Sequence, residues 1–175
     1  NEIEVLEILK KFNLTGRKDA VNIQYRQEYS NILREGIIRK NLGQSILEMG
    51  YHSTIGYGDD QKMALLLVNG LLGAFPHSKL FTQVREKEGL AYTVSSYLDL
   101  FSGFLRLFAG INRQNRNKAR KLMNDQLLNI KNGRFTDAEI NQTKEMIRRT
   151  MLLSQDNQDL IIDREYLSIF LVNRF

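Results

Sequence analysis

The sequence predicts an α+β fold: a two-layer domain in which a mainly antiparallel sheet is covered on one face by helices. Three observations carry this expectation. Ser45 to His52 and the paired runs Tyr92 to Leu98 and Phe104 to Ile111 alternate with the two-residue period of strands. Met63 to Leu72 is apolar all round, as in a helix buried on most sides. From Arg113 onward the apolar residues recur at helical spacing.

At 175 residues, 42% hydrophobic and with a mean hydropathy of -0.36, the chain has the length and composition of one globular domain able to bury a core. It contains no cysteine, which excludes disulfides, thiolate metal sites and cysteine nucleophiles and fits a reducing compartment, so a cytoplasmic location is expected. No apolar run approaches the roughly 18 residues of a membrane span, and Asn1-Glu2-Ile3-Glu4 lacks the basic and apolar regions of a signal peptide. The net charge is +5, from 25 basic and 20 acidic residues, with a pI near 9.5. This excess permits an acidic partner, nucleic acid included, without requiring one. The chain has no initiator methionine and stops at Phe175 within an apolar, helix-like run, so it is expected to be part of a longer protein.

Glu2 to Phe12 sets Ile3, Leu6 and Leu9 at helical spacing, and Asn13 to Asp19, with Gly16, closes that short amphipathic helix. Val21 to Tyr25 is strand-like and Arg26 to Lys40 mixed. Residues 1–43 are therefore expected to be a partly ordered linker ending a preceding segment, and 44–175 the domain proper, truncated at its C-terminus. In the first strand Leu47, Met49 and Tyr51 share one side. Asp59 or Asp60 is expected to cap the following helix by accepting its first free N–H groups, and Pro76, the only proline, to stop it. The loop Asp99-Leu100-Phe101-Ser102-Gly103 joins the two later strands as a hairpin. Leu105, Leu107, Ala109 and Ile111 on one face, with Phe104, Arg106 and Phe108 on the other, predict at least partial cover on both sides, and Gly110 a close approach of backbones. Arg113 to Asn132 carries Ala119, Leu122, Met123, Leu127 and Ile130 on one stripe and ends at Gly133. Thr136-Asp137-Ala138-Glu139 is a capping box that opens a helix to about Ser154, and Asp156 to Asp159 starts a further helical segment.

Between Pro76 and the hairpin lies Ser78 to Tyr92, where a helix ends, Gly89 turns the chain and a strand begins. Leu80 and Phe81, then Val84, Arg85, Glu86 and Lys87, then Gly89, Leu90, Ala91 and Tyr92, form a pattern that resembles the second half of the pitrilysin/insulinase family of zinc metallopeptidases, which includes mitochondrial and bacterial processing peptidases. Weaker similarity continues from about Gln44 to the last residue. The resemblance implies the two-layer domain of mitochondrial processing peptidase-like metallohydrolases and a role in proteolysis. It implies that Arg85 and Tyr92 bind substrate, reaching across to a zinc-bearing half and hydrogen-bonding the peptide backbone near the scissile carbonyl. The implied partners are a peptide or protein substrate and a zinc-bearing half or subunit of the same family, in a homo- or hetero-oligomeric assembly.

The family's zinc chemistry requires His-x-x-Glu-His, whereas this chain has only His52 and His77, neither within such a motif. No catalytic residue, metal ligand or cofactor is therefore expected in the chain itself, with zinc belonging to the partner half, and no activity is expected of the chain alone. A variant is that the whole parent protein is an inactive scaffold or partner subunit.

Without the resemblance, the residues have plainer readings. Arg85 would cap a carboxylate such as Glu88, and Tyr92 would be an ordinary strand residue. His52 and His77 would be structural or surface histidines, since neither has partners at ligand spacing. Gly56-Tyr57-Gly58 lacks the third glycine and the lysine of a phosphate loop. The basic residues Arg116, Lys118, Arg120 and Lys121 offer a competing class, a nucleic-acid-binding module, but no aromatic residue interleaves with them for base stacking, which favours a solvated helix face.

Overall fold

Three strands, β1 (Ser45–His52), β2 (Ala91–Asp99) and β3 (Phe104–Ile111), form one antiparallel sheet in the order β1-β3-β2. The computed structural model describes residues 2–12, 33–40 and 43–172, without the side chains of 164 and 167–172. The readings made for Asn13 to Asp19, Val21 to Tyr25 and the first part of Arg26 to Lys40 lie outside the described residues; residues 33–40 carry no regular structure. As the alternation predicts, Leu105, Leu107, Ala109 and Ile111 of the central strand are buried on one face. Met49 stands opposite Leu107, and Leu47 opposite Ala109, on that same face. The hairpin turns on Asp99, whose carboxylate accepts from Phe101 N at 2.9 Å and from Ser102 Oγ at 2.7 Å, with Gly103 at φ +61° completing the reversal.

Helix α1 (Glu2–Lys11) is exposed along its whole length. Helix α2 (Lys62–Asn69) widens into a π-helical turn, Gly70–Ala74. No residue of α2 itself is fully buried and Met63 is 47% exposed, whereas Gly70, Leu71, Leu72 and Gly73 of the wide turn are buried. This corrects the expectation that Met63 to Leu72 is buried on most sides. Leu67 and Val68 of the short helix pack against the core half-buried, and full burial begins only in the wide turn. Two glycines permit the approach: a Cβ on Gly73 would stand 2.6 Å from Ser96 N, and one on Gly70 would stand 2.5 Å from Thr143 Cγ2. The predicted aspartate cap also moves. Asp59 Oδ1 accepts from Gln61 N at 2.7 Å, in the turn before the helix, while the helix's own N-cap is Gln61 with no side-chain bond. Phe75 is extended (φ -124°, ψ 159°), the conformation a following proline enforces, so Pro76 does end the helix.

Helix α3 (Arg116–Lys131) follows a 3₁₀ turn at Arg113–Asn115 and buries Ala119, Met123 and Ile130 of the predicted stripe together with Gln126, while Leu122 and Leu127 are half-buried, and it closes at Gly133 with φ +68°. The capping box opens α4 (Asp137–Ser154) as predicted: Thr136 N donates to Glu139 Oε2 at 2.8 Å and Glu139 N to Thr136 Oγ1 at 3.2 Å. Asn157 Oδ1 accepts from Asp159 N at 3.0 Å where α5 (Gln158–Val172) begins.

On the second face Phe104 and Phe108 are half-buried, in keeping with the expected partial cover, while Ile46 is 70% exposed and Arg106 extends between the Tyr97 and Phe108 rings at 5.8 and 5.9 Å. Gly110 is overlain by the side chains of Gln44 and Thr93, not by a second backbone.

The packing yields a stability prediction. Leu107→Ala, at a site with no exposure, should cost about 2 to 5 kcal/mol, and the half-buried Leu67→Ala less. Gly73→Ala adds one methyl against backbone that cannot rotate away and should cost about 1 to 3 kcal/mol; urea unfolding of the three variants against the parent tests the order.

Candidate functional site at the helix-to-strand corner

The corner begins at Ser78, which is 1% exposed. Its Oγ accepts from Phe81 N at 3.5 Å and its carbonyl from Thr82 N at 2.9 Å, so it starts the π-helical segment Phe81–Lys87. Leu80 and Val84 are completely buried under the sheet layer, which leaves the adjoining Arg85 to face outward. The segment ends where Glu88 N donates to Gln83 O at 3.2 Å and Leu90 N to Val84 O at 3.0 Å. This closure requires a left-handed residue between them, and Gly89 supplies it at φ +59°.

Ala91 then pairs with Ile111 and Thr93 with Gly110, so Tyr92 is the extra residue of a β-bulge. A bulge re-aims its side chain, and the Tyr92 phenol is 70% exposed. Arg85 is exposed too, with its guanidinium 4.6 Å from the Phe81 ring centroid. It makes no ion pair among the described residues. Glu88, the carboxylate that Arg85 would have capped, instead accepts from Lys118 Nζ at 2.8 Å, and that hydrogen bond and charge hold its carboxyl below the usual range. The structure thus brings Arg85 and Tyr92 to one exposed corner as donors with no acceptor of their own, and α3 is tied to that corner by Lys118. Sequence reasoning missed this tie, because nothing in the local pattern relates positions 30 apart.

His77 is structural, and His52 is an exposed strand residue. His77 stacks on Phe75 at 5.7 Å, and its Nε2 lies 2.8 Å from Thr143 Oγ1. The fully buried Thr143 hydroxyl donates to Glu139 O at 2.8 Å, so it accepts from the imidazole, which places the proton on Nε2. Burial pushes the His77 pKa down, against the nearby Glu139, which raises it. Glu139 is itself raised by burial but held lower on balance by Lys79 Nζ at 2.7 Å and by Thr136. His52 meets Phe104 edge-on at 6.2 Å. No group of three histidine, cysteine or acidic side chains among the described residues is placed to hold a metal ion, so this part of the molecule does not fit zinc.

The described residues thus form a two-layer domain with a Gly89 corner, an outward arginine and a bulged tyrosine, and no group placed to hold a metal ion among them. The chain belongs to the Peptidase M16 inactive domain family, whose model matches residues 2–147. It is 40% identical over 123 residues to the "Probable inactive metalloprotease YmfF" of Bacillus subtilis (strain 168), covering 70% of this chain and 29% of that protein. It is 27% identical over 128 residues to the "Uncharacterized zinc protease YmxG" of the same organism, covering 72% of this chain and 31% of that one. The chain therefore spans less than a third of the length of these two relatives. The crystal structure of a conserved protein from Enterococcus faecalis V583 superposes with a TM-score of 0.87 at 40% identity, over 97% of this chain and 40% of that one. A peptidase M16 inactive domain from Pseudomonas fluorescens gives a TM-score of 0.58 at 23% identity, over 62% and 27% of the two chains. The likeness supports the same fold. No helix among the described residues is long and apolar enough to cross a membrane.

The polar network makes acid sensitivity two-staged. Because the folded His77 pKa is depressed, the unfolded chain binds more protons, and stability should fall as pH drops through 6.5 and level off below the lowered value. Glu145, drawn to about 2 by Arg148 and Arg149, contributes stability present above 4.5 and lost on approach to that lower value. Thermal melting between pH 8 and pH 3 should show both stages, one setting in below pH 6.5 and one below pH 4.5, and His77→Gln should remove only the upper one.

Proposed function

We propose that this chain is the non-catalytic half of a zinc-dependent metallopeptidase, in which Arg85 and Tyr92 hold the substrate. The observation that carries the reading is that both side chains stand exposed at one corner, on opposite sides of Gly89, with Tyr92 turned outward by the bulge. A guanidinium offers a rigid fork of donors and a phenol a single one. Aimed at a peptide carbonyl, they grip the ground state and bind more tightly as negative charge gathers on that oxygen during attack. Bond cleavage itself would be done outside this chain, by a zinc-bearing half or subunit with which it assembles in a cytoplasmic homo- or hetero-oligomer. Here the chain supplies one wall of the site and part of its charge stabilisation.

A second reading is favoured by the 40% identity to a relative named as an inactive metalloprotease. In it the whole protein is a peptide-binding scaffold or partner subunit, and the same corner binds without turnover.

In the full-length protein, Arg85→Ala or Tyr92→Phe should lower peptide turnover by about 10-fold to 1000-fold, roughly 1.4 to 4 kcal/mol, with an unchanged melting temperature. Lys131→Ala, on the exposed side of α3, should leave turnover unchanged. Loss of folding in Arg85→Ala, or unaltered turnover in both corner variants, would refute the first reading. A full-length protein that holds no zinc and cleaves no peptide, yet binds peptide through Arg85, establishes the second.

A further inference from the structure

At the end of the sheet nearest the corner, a cavity of about 60 Å³ opens between the start of β1 and the end of β3. Its walls are Ile46, Leu47 and Ile111, and at its rim stand Ser45, Arg113 and Arg116. The volume is roughly twice that of a water molecule in the liquid, about the size of a carboxylate group. The cations around it divide into two sets. Lys118 is paired with Glu88 at 2.8 Å and Arg120 with Glu35, whereas Arg113 and Arg116 have neither an ion pair nor a hydrogen bond from their side chains among the described residues. The first turn of α3 contains no acidic residue to neutralise them. Two unpaired guanidinium groups beside a small apolar-walled recess make a place where one carboxylate can take charge-assisted, two-pronged hydrogen bonds while its methylene stem rests on Ile46.

The recess has a defined relation to the corner. Ile111 is paired with Ala91 on one side and with Ser45 on the other, so Tyr92 on β2 and the recess between β1 and β3 lie at the same end of the sheet. One to two strand spacings of about 4.8 Å separate them, a gap spanned by up to about three residues of an extended peptide at about 3.3 Å each. We propose that Arg113 and Arg116 form a carboxylate-reading subsite, so that the preferred substrates are peptides with an acidic side chain or a free C-terminal carboxylate about three residues from the position held at Arg85 and Tyr92. This rests on the reading of the corner as the place where peptide is held. It differs from a nucleic-acid surface in that the pair serves a single anion at the mouth of an apolar recess, with no aromatic side chain exposed beside it on α3.

The test uses the full-length protein and three fluorescein-labelled peptides of one sequence: amidated with glutamate three residues from the centre, amidated with glutamine there, and the glutamine peptide cut at that position to leave a free carboxylate. Anisotropy should show one or both carboxylate peptides binding about 10-fold tighter than the amidated glutamine peptide, which also tells side chain from terminus. In R113Q/R116Q that preference should fall to within about 2-fold, and Arg113→Lys should keep part of it. Arg85→Ala should weaken all three peptides alike; if it weakens none while the preference persists, the corner reading fails and the subsite does not. Equal binding of the three peptides, no binding of any, a preference that survives R113Q/R116Q, or tighter Arg113-dependent binding of a uridine decamer than of the glutamate peptide would overturn the proposal.

Discussion

The spacing between the sheet and its helical layer is fixed where Gly73 meets the backbone of Ser96. Because that position has no side chain, the wide turn after α2 settles directly on β2, and Ser96 Oγ donates to Asn69 Oδ1 at 2.6 Å to hold it there. Leu71 and Leu72 then reach the layer formed by Leu107 and Ile111. The next stretch of chain inherits this geometry. Pro76 turns the backbone away, Leu80 and Val84 bring the next segment down on the same layer, and Arg85 is left outside because its neighbour is inside. The corner is thus positioned by apolar contact, with Glu88 tied to Lys118, and Arg85 and Tyr92 stand outside that framework.

That separation explains how much of the molecule could be read from sequence. Strands betray themselves through alternation, and the burial of Leu105, Leu107, Ala109 and Ile111 follows it residue by residue. The capping box at Thr136 and the left-handed glycines at 89 and 133 are local devices with local signatures. The features that escaped depend on registry or distance. A run of alternating residues does not reveal that Tyr92 is inserted as a bulge, since this is decided by its pairing with β3. An apolar decapeptide does not disclose that only its last residues are fully buried. Asp59 and Glu88 looked like partners for whatever stood nearest, yet one closes a turn ahead of its helix and the other joins a lysine on α3. The corner itself was legible because its residue types and spacing form a recognisable pattern. The arginines at the foot of α3 were not, since in one dimension they look like any solvated helix face.

The same logic bears on the absence of a metal site among the described residues. The His77 ring is committed to Thr143, and Thr143 to the α4 backbone, so the imidazole joins α4 to the turn at Pro76. Such a histidine is spent on architecture.

The strand order has a consequence for how such a protein is made. β1 is the first strand of the described sheet to leave the ribosome, but its only partner there is β3, and β2 and β3 pair with each other through a short local turn. At synthesis rates of roughly 5 to 20 residues per second, the stretch of about 50 residues between β1 and β3 takes seconds to emerge. Through that interval Leu47, Met49 and Tyr51 lack their partner strand in the described sheet, while the later hairpin can close as soon as it appears. Among the three strands β1 is therefore the one that waits longest for its pairing, and the arrival of the central strand ends that wait.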